Sequence, residues 1–211
     1  MKQYVEATFY FDYKSPEIQE LVSDFLHLSE QEKITQLYIA VRDQWRYNPY
    51  NIGLTEHFFK ASTIYKKKQA HCIDKAILYI AGLRALSIPA RLRLAKVSNH
   101  IAVEKLEKKL GSYEIAPHGL VEVFSNEKWV KCSPVFNKEL CEIYNVAPLD
   151  FDGLENSILQ EYNKDNAKFM EYIEDYGSFA DVPLDFIKEK FKENYPSLYE
   201  QFKDAEQVTI T

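Results

Sequence analysis

The sequence lacks any long apolar run and any excess of positive charge. No stretch approaches the roughly 20 apolar residues that a membrane-spanning helix needs, and the N-terminal residues lack the pattern of a secretory signal. Lysine and arginine total 26 against 32 aspartates and glutamates, a net charge of −6. General nucleic-acid binding requires clustered positive charge, and we interpret the single basic run, Lys66–Lys68, as a solvated face. We therefore expect neither a membrane nor a nucleic acid as a partner.

Cysteine is also scarce, with only Cys72, Cys132 and Cys141 in the chain. Their odd number and the lack of a C-x-x-C spacing argue against a disulfide framework and against a structural zinc site. His71 and Cys72 are adjacent, so a regular helix could not direct both side chains at one ion. These features predict a cytoplasmic protein with free thiols, no metal and no cofactor.

The pattern of apolar residues predicts an α+β fold, and a hydrophobic content of 46% is ample for a sizeable core. Alternation within Val5–Phe11 predicts a first strand. Helices are predicted after Ser15–Pro16, after a capping box formed by Ser29 and Glu32, and after Thr55.

The centre of the chain is Cys72–Leu86, whose apolar residues cover more than one face and predict a helix inside the fold. Ser87–Pro89 ends this helix, because the residue before a proline disfavours helical geometry. The period then changes from that of a helix to that of a strand. The elements predicted next are a strand at 91–97, a helix capped by Ser98 or Asn99, strands at 120–124 and 128–132 that form a hairpin, and a mostly helical segment after Pro134.

Cys72 stands at the start of this central helix. Unpaired amide groups and the positive end of the helix dipole favour the thiolate, which is the reactive form of cysteine. The same amides can stabilise an oxyanion, and a nearby imidazole can take the thiol proton. The position predicts a nucleophile, although a lone cysteine is also commonly a small buried apolar residue.

The chain has five histidines that could act as the base. His71 adjoins Cys72 and would point about 100° away from it on a regular helix. His100 is predicted at a strand-to-helix turn, and His118 directly precedes a strand. The residues alone do not decide between His100 and His118.

Four segments resemble the core of the transglutaminase-like superfamily. Ala70–Ala76 and Gly82–Arg91 resemble its Gly-x-Cys motif, its apolar helix and its Leu-Arg-Ala-x-Gly-Ile-Pro-Ala-Arg turn. His118–Phe124 is similar to its histidine strand, and Trp129–Pro134 is similar to the strand that usually ends in Asp-Pro. The similarity runs from about residue 37 to residue 134, and the tail resembles that of a bacterial branch.

This resemblance implies a transglutaminase-like or papain-like core, in which a central helix carrying the cysteine packs on an antiparallel sheet. Residues 1–211 would form a single domain, with the core at about 30–137 and a helical C-terminal extension at 138–211. The resemblance also implies that Cys72 and His118 are the catalytic residues.

Three positions depart from the family pattern. Ala70 and Ser87 stand where glycine is usual, which is a mild change provided that neither site requires a positive φ. The aspartate that orients the family's histidine falls at Ser133, whose hydroxyl can accept a hydrogen bond but carries no charge. Asn137 is a second candidate for this orienting role, and Ser133 could equally be a structural hydroxyl at a strand end.

These features predict a thiol-dependent acyl-transfer enzyme in which Cys72 attacks a peptide or amide carbonyl and His118 acts as base and acid. Hydrolysis is favoured over crosslinking because no feature selects an amine acceptor. The alternative is a catalytically impaired fold that serves as a protein-interaction or ligand-binding module, which the missing aspartate suggests. A third hypothesis is that aromatic residues at 162–176 of the tail bind a partner.

Overall fold

A four-stranded sheet and one buried helix form the centre of the protein. The structure is a computed structural model, and it describes residues 1–100, 103–202 and 208–209. The helices are α1 Pro16–Val22, α2 Glu30–Gln44, α3 Ala61–Tyr65, α4 Cys72–Ala85, α5 Val103–Leu110, α6 Lys138–Ile143, α7 Leu184–Asn194 and α8 Pro196–Phe202. The strands are β1 Arg46–Tyr47, β2 Asn51–Ile52, β3 Gln69–Ala70, β4 Ala90–Asn99, β5 Glu114–Ser125, β6 Lys128–Cys132, β7 Met170–Phe179 and β8 Val208–Thr209. Within these residues, no helix is long and apolar enough to cross a bilayer.

The main sheet has the strand order β6-β5-β4-β7, and every neighbouring pair is antiparallel. The predicted hairpin is confirmed as β5 and β6, which are joined at Asn126 and Glu127. These two residues have φ values of 48° and 62°, as expected for the two-residue turn that matches the twist of its strands. Two short pairs lie outside this sheet, with β1 parallel to β3 and β2 antiparallel to β8.

Helix α4 is buried on all sides, which confirms the prediction of a central helix. Every residue from Cys72 to Arg84 is buried, with β5 against one face of the helix and α1, α2 and α3 around the others. The α+β class and the packing of the central helix on an antiparallel sheet are as predicted.

The buried guanidinium of Arg84 in α4 binds backbone oxygens instead of water. Arg84 donates hydrogen bonds to the carbonyl oxygens of Glu6, Ala90 and Ala180. It thereby joins the N-terminal segment, the start of β4 and the residue that follows β7. A buried cation without such partners would be strongly destabilising, so these bonds make Arg84 a structural tie between distant parts of the chain.

The sequence predictions fail at the N-terminus and in the tail. Residues 5–11 form no strand, because the free edge of β4 is paired with β7, and the expected strand has no partner there. Strand β7 shows that the segment after Pro134 is not mostly helical. Most of its side chains are exposed or half-buried, so the strand lacks the apolar alternation that would reveal it.

Two predicted helix starts are also displaced. Thr55 precedes a short 3-10 turn at His57–Phe59, and the α-helix begins only at Ala61. Ser98 and Asn99 do not cap a helix, since both belong to β4. The predicted start of the next helix at residues 101 and 102 lies outside the described residues.

The expectation that serine in place of glycine at position 87 is a mild change is wrong. Its φ is +63°, in the left-handed region that favours glycine. The amide of Ile88 donates to the oxygen of Leu83, and the amide of Ser87 donates to the oxygen of Arg84. This is the Schellman arrangement, in which the left-handed position usually carries glycine.

Replacing Ser87 with glycine should therefore raise the free energy of unfolding by about 1 kcal/mol, because the left-handed backbone conformation destabilises an L-residue by about that amount. Chemical denaturation of the wild-type protein and of Ser87→Gly measures the difference. Ser87→Ala is the matched control and should give no gain, since alanine pays the same backbone cost. A gain with alanine as large as that with glycine would contradict this explanation.

Candidate active site

Cys72 is the first residue of α4, and the chain before it is held in place by short strands. Ala70 lies in β3 and pairs with Tyr47 of β1, and the amide of Asn48 donates to the oxygen of Ala70. Ala70 is therefore extended backbone, so alanine replaces the family's glycine there without strain. The pairing sets the direction from which the chain enters α4.

His71 is the N-cap of α4, a role that the sequence did not reveal. Its Nδ1 accepts hydrogen bonds from the amides of Ile73 at 3.1 Å and Asp74 at 3.2 Å. Burial lowers the pKa of His71, and the nearby Asp74 opposes this shift. The ring must be neutral at Nδ1 to accept, so His71 belongs to the scaffold of the nucleophile.

The start of α4 lies unusually close to β5 at Gly119. A Cβ at this position would be 2.8 Å from the Cα of Ile73, a distance that side chains do not tolerate. The absence of a side chain lets the backbone of Gly119 pack against the first turn of α4, which begins at Cys72. Gly119 directly follows His118, so the predicted histidine strand does meet the predicted nucleophile.

Cys72 is buried, with 4% of the residue exposed. Burial raises its pKa to about 11, although backbone hydrogen bonds from Gly119 and Ile73 act in the opposite direction. The helix-start effect that the sequence suggested is thus present but smaller than the cost of desolvation. In this conformation Cys72 is a thiol at neutral pH.

His118 is 1% exposed and pairs with Ala95 in the sheet. Burial lowers the pKa of His118 to about 4, and His71 adds a smaller effect in the same direction. Neither ring nitrogen has a hydrogen-bond partner among the described residues. Within the described residues His118 therefore lies next in the chain to Gly119, which packs on the first turn of α4, but it forms no hydrogen bond with Cys72.

The candidates for the orienting residue are not bonded to His118 either. Ser133 is buried, and its backbone oxygen accepts from the hydroxyl of Tyr38. The Asn137 amide is occupied, since its oxygen accepts from the amide of Tyr47 and its nitrogen donates to Glu139.

A small pocket with a cavity volume of about 50 Å³ lies beside Cys72. Its walls are the loop between β1 and α3, the starts of α4 and β5, and α7 with Tyr195. The side chains that line it are mostly apolar and include Ile52, Leu54, Phe59, Leu110, Ile115, Ile187 and Phe191.

Helix α7 is the part of this site that the sequence did not predict. Tyr195 follows α7, accepts a hydrogen bond from the amide of Ala116 and donates one to the oxygen of Glu114. These bonds hold the end of α7 against the start of β5. The contact joins positions about 80 residues apart, and no local sequence pattern predicts it.

The other sequence candidates lie elsewhere. His100 is half-buried and contacts Ser98 and Glu171. Cys132 ends β6, and Cys141 lies in α6 with its thiol directed at the oxygen of Phe136.

Most of the tail aromatics contribute to packing. Of the aromatics at 162–176, Phe169 is in the core, Tyr172 and Tyr176 pack against it, and Tyr162 is exposed. Within the described part of the chain, no group of three or more histidines, cysteines and carboxylates is arranged to hold a metal ion.

Comparison with known proteins gives a family. Residues 19–134, more than half of the chain, match the family described as the transglutaminase-like superfamily. No curated protein matches the chain. A solved structure from Cytophaga hutchinsonii, named "Putative Cysteine Protease", aligns with a TM-score of 0.48 and 15% identity. The alignment covers 84% of this chain but only 46% of that one, so the chain spans less than half its length.

The low pKa of His118 makes stability depend on pH. The pKa is about 4 in the folded protein and about 6.5 in an unfolded chain, so folding favours the neutral ring. This contribution is complete above pH 6.5 and is lost as the pH falls towards 4, with a total of about 3 kcal/mol.

We expect the stability of His118→Gln to fall less steeply over that range than that of the wild type. Denaturant titrations at several pH values measure the slope, and His27→Gln, which changes an exposed ring, should leave it unaltered. His71 contributes in the same direction, so part of the slope should persist. Equal slopes for wild type and His118→Gln would contradict the prediction.

Proposed function

We propose that this member of the transglutaminase-like superfamily is a thiol-dependent acyl-transfer enzyme that hydrolyses amide or peptide bonds. Cys72 is the nucleophile, and His118 is the general base and acid. The observation that supports this most is the close packing of Gly119, the residue after His118, against the first turn of the buried helix that begins at Cys72. Cys72 lines the small apolar pocket in which a substrate would bind.

The pKa values indicate how this pair would start the reaction. The pKa of Cys72 is about 11 and that of His118 about 4, both because of burial. Both groups are then neutral at pH 7, so no thiolate–imidazolium pair exists before substrate binds. His118 would take the thiol proton while sulfur attacks the carbonyl carbon, which is general-base catalysis.

The proposed reaction has two steps. In the first, the bond from Cys72 Sγ to the carbonyl carbon forms, the bond to the leaving amine breaks, and His118 delivers the thiol proton to that amine. In the second, His118 takes a proton from water while the water oxygen attacks the acyl carbon, the bond from that carbon to Sγ breaks to release the acid, and His118 returns the proton to sulfur. We propose Ser133 for the orientation of His118 because it stands at the position of the family's aspartate; Ser133 is not bonded to His118 in this structure, and the Asn137 amide has other partners.

A second candidate function has its own support. The unbonded ring of His118, the high pKa of Cys72 and the apolar wall formed by α7 also fit a module that binds a ligand or protein without catalysis. The two functions differ in the reactivity that they predict for Cys72.

Alkylation with iodoacetamide at neutral pH, followed residue by residue with mass spectrometry, separates them. We expect Cys72 to react at least about 10-fold faster than Cys132 or Cys141, because it alone of the three lines the pocket and has His118 nearby to take its proton. The other two cysteines serve as internal references. Equal rates at all three would favour the binding module.

Hydrolysis of p-nitrophenyl acetate tests the dyad itself. Cys72→Ser should abolish the acyl-enzyme that mass spectrometry detects, and His118→Gln should slow its formation by about 10²-fold to 10⁴-fold, the usual contribution of general acid–base catalysis. Cys141→Ser is the matched control and should retain the rate.

A further inference from the structure

The pocket beside Cys72 has walls without charge. None of the described residues that line it is an aspartate, glutamate, lysine or arginine. Burial lowers the pKa of His71, so its ring is neutral at pH 7, and the hydroxyl of Tyr195 is already bonded to the backbone of Glu114 and Ala116. A charged group that entered would lose its water without meeting an opposite charge, which is strongly unfavourable. The pocket therefore suits an uncharged group.

The pocket is also small. Its volume is about 50 Å³, whereas a cavity of about 150 Å³ holds a benzene molecule. On that scale the space beside Cys72 accommodates roughly two carbon atoms. A short aliphatic group fits while the walls stay in place, and a long chain or an aromatic ring does not.

Helix α7 and the residue that follows it form one wall of this pocket, through Ile187, Phe191 and Tyr195. The segment that matches the transglutaminase-like superfamily is residues 19–134. This wall therefore lies outside the part of the chain that matches the family, and the limit that it sets on the pocket belongs to the C-terminal part of the chain.

Phe191 is packed from several sides. It belongs to a small cluster of buried apolar residues that also contains Tyr50, Leu54, Leu110 and Tyr195. The ring centroids of Phe191 and Tyr195 lie 5.0 Å apart, and the amide of Tyr195 donates to the oxygen of Phe191 at 2.8 Å. Close-packed side chains lose contacts when they move aside, so Phe191 is a firm part of the wall.

The acyl group is the part of a substrate that remains beside Cys72. In the proposed reaction the bond from Sγ to the carbonyl carbon forms, the bond to the leaving amine breaks, and the amine departs. The acyl group stays bonded to Sγ until water releases it. The atoms attached to the carbonyl carbon therefore occupy the space next to the thiol in both steps.

We propose that this pocket selects acyl groups that are uncharged and small next to the reacting carbonyl, and that Phe191 sets the upper limit of their size. This inference rests on the proposed function of Cys72. In a peptide substrate, the residue that supplies the carbonyl has a side chain of no more than about two carbon atoms. Alanine meets this condition, whereas leucine, phenylalanine and glutamate are rejected.

The p-nitrophenyl esters of acetate, propionate and hexanoate test the size limit, because they differ only in the acyl group. We expect kcat/KM, corrected for the reactivity of each ester towards hydroxide, to rise about 4-fold from acetate to propionate, the effect of burying one methylene. It should fall by about 10-fold or more at hexanoate, the scale on which a filled apolar pocket rejects further methylenes.

Phe191→Ala removes the ring from the wall and enlarges the pocket. We expect the ratio of kcat/KM for hexanoate to that for propionate to rise by about 10-fold or more. Phe186→Ala is the matched control, because Phe186 lies in the same helix but packs against Tyr176 and Phe179, outside the pocket wall. It should keep the wild-type ratio.

Cys132 and Cys141 are buried and report on folding, because an unfolded variant would expose all three cysteines to iodoacetamide at similar rates. If Phe191→Ala proves unfolded in this way, Phe191→Leu takes its place, with a smaller shift expected in the same direction. A folded Phe191 variant with the wild-type ratio would overturn the proposal.

The wild-type protein separates this proposal from the one that it rests on. If the wild type forms no acyl-enzyme on Cys72 with acetate or propionate, the proposed function is wrong, and the size limit is wrong with it. If it forms the acyl-enzyme from hexanoate as fast as from propionate, only the size limit is wrong.

Discussion

The contact between the first turn of α4 and Gly119 is the constraint on which the candidate site depends. A side chain at position 119 would meet the backbone of Ile73, so the helix and the strand can approach this closely only because glycine stands there. The approach brings β5, the strand that carries His118, against the start of the helix that carries Cys72. The same closeness buries the thiol, and its pKa rises in consequence.

The site therefore combines two opposing electrostatic effects. Helix-start amides and the Gly119 amide favour the thiolate, whereas loss of water disfavours it. In this protein the loss of water has the larger effect on the pKa of Cys72. His71 also weakens the effect of the helix-start amides, because its Nδ1 accepts hydrogen bonds from two of them. If Cys72 is the nucleophile that we propose, it depends on a neutral base that acts during the reaction more than on ionisation beforehand.

Each charged side chain of the buried helix α4 has a defined partner. Lys75 donates to the backbone oxygens of Arg42 and Val135, and Lys67 pairs with the buried carboxylate of Asp74. Together with Arg84, these bonds connect α4 to the surrounding segments. They explain how a helix that is apolar in pattern can carry charged residues in its interior.

Local patterns were sufficient to predict the central helix, the β5–β6 hairpin and strand β4, because each has a strong period of its own. The capping box of Ser29 and Glu32 also formed as its spacing indicated. The predictions failed where an element needs a distant partner. Residues 5–11 have the pattern of a strand but form none, because no sheet edge is free for them. Strand β7 lacks such a pattern, since its side chains are polar and exposed, yet it pairs with the edge of β4.

The sequence by itself determined the position of Cys72 at a helix start, the order of the elements around it and the resemblance that singled out His118. Only the tertiary structure decided that His71 caps the helix, that Tyr47 and α7 form the pocket walls, and that Ser87 adopts a positive φ. These features depend on burial and on contacts between residues far apart in the chain. Periodicity and spacing carry no information about such contacts, because both are properties of neighbouring residues.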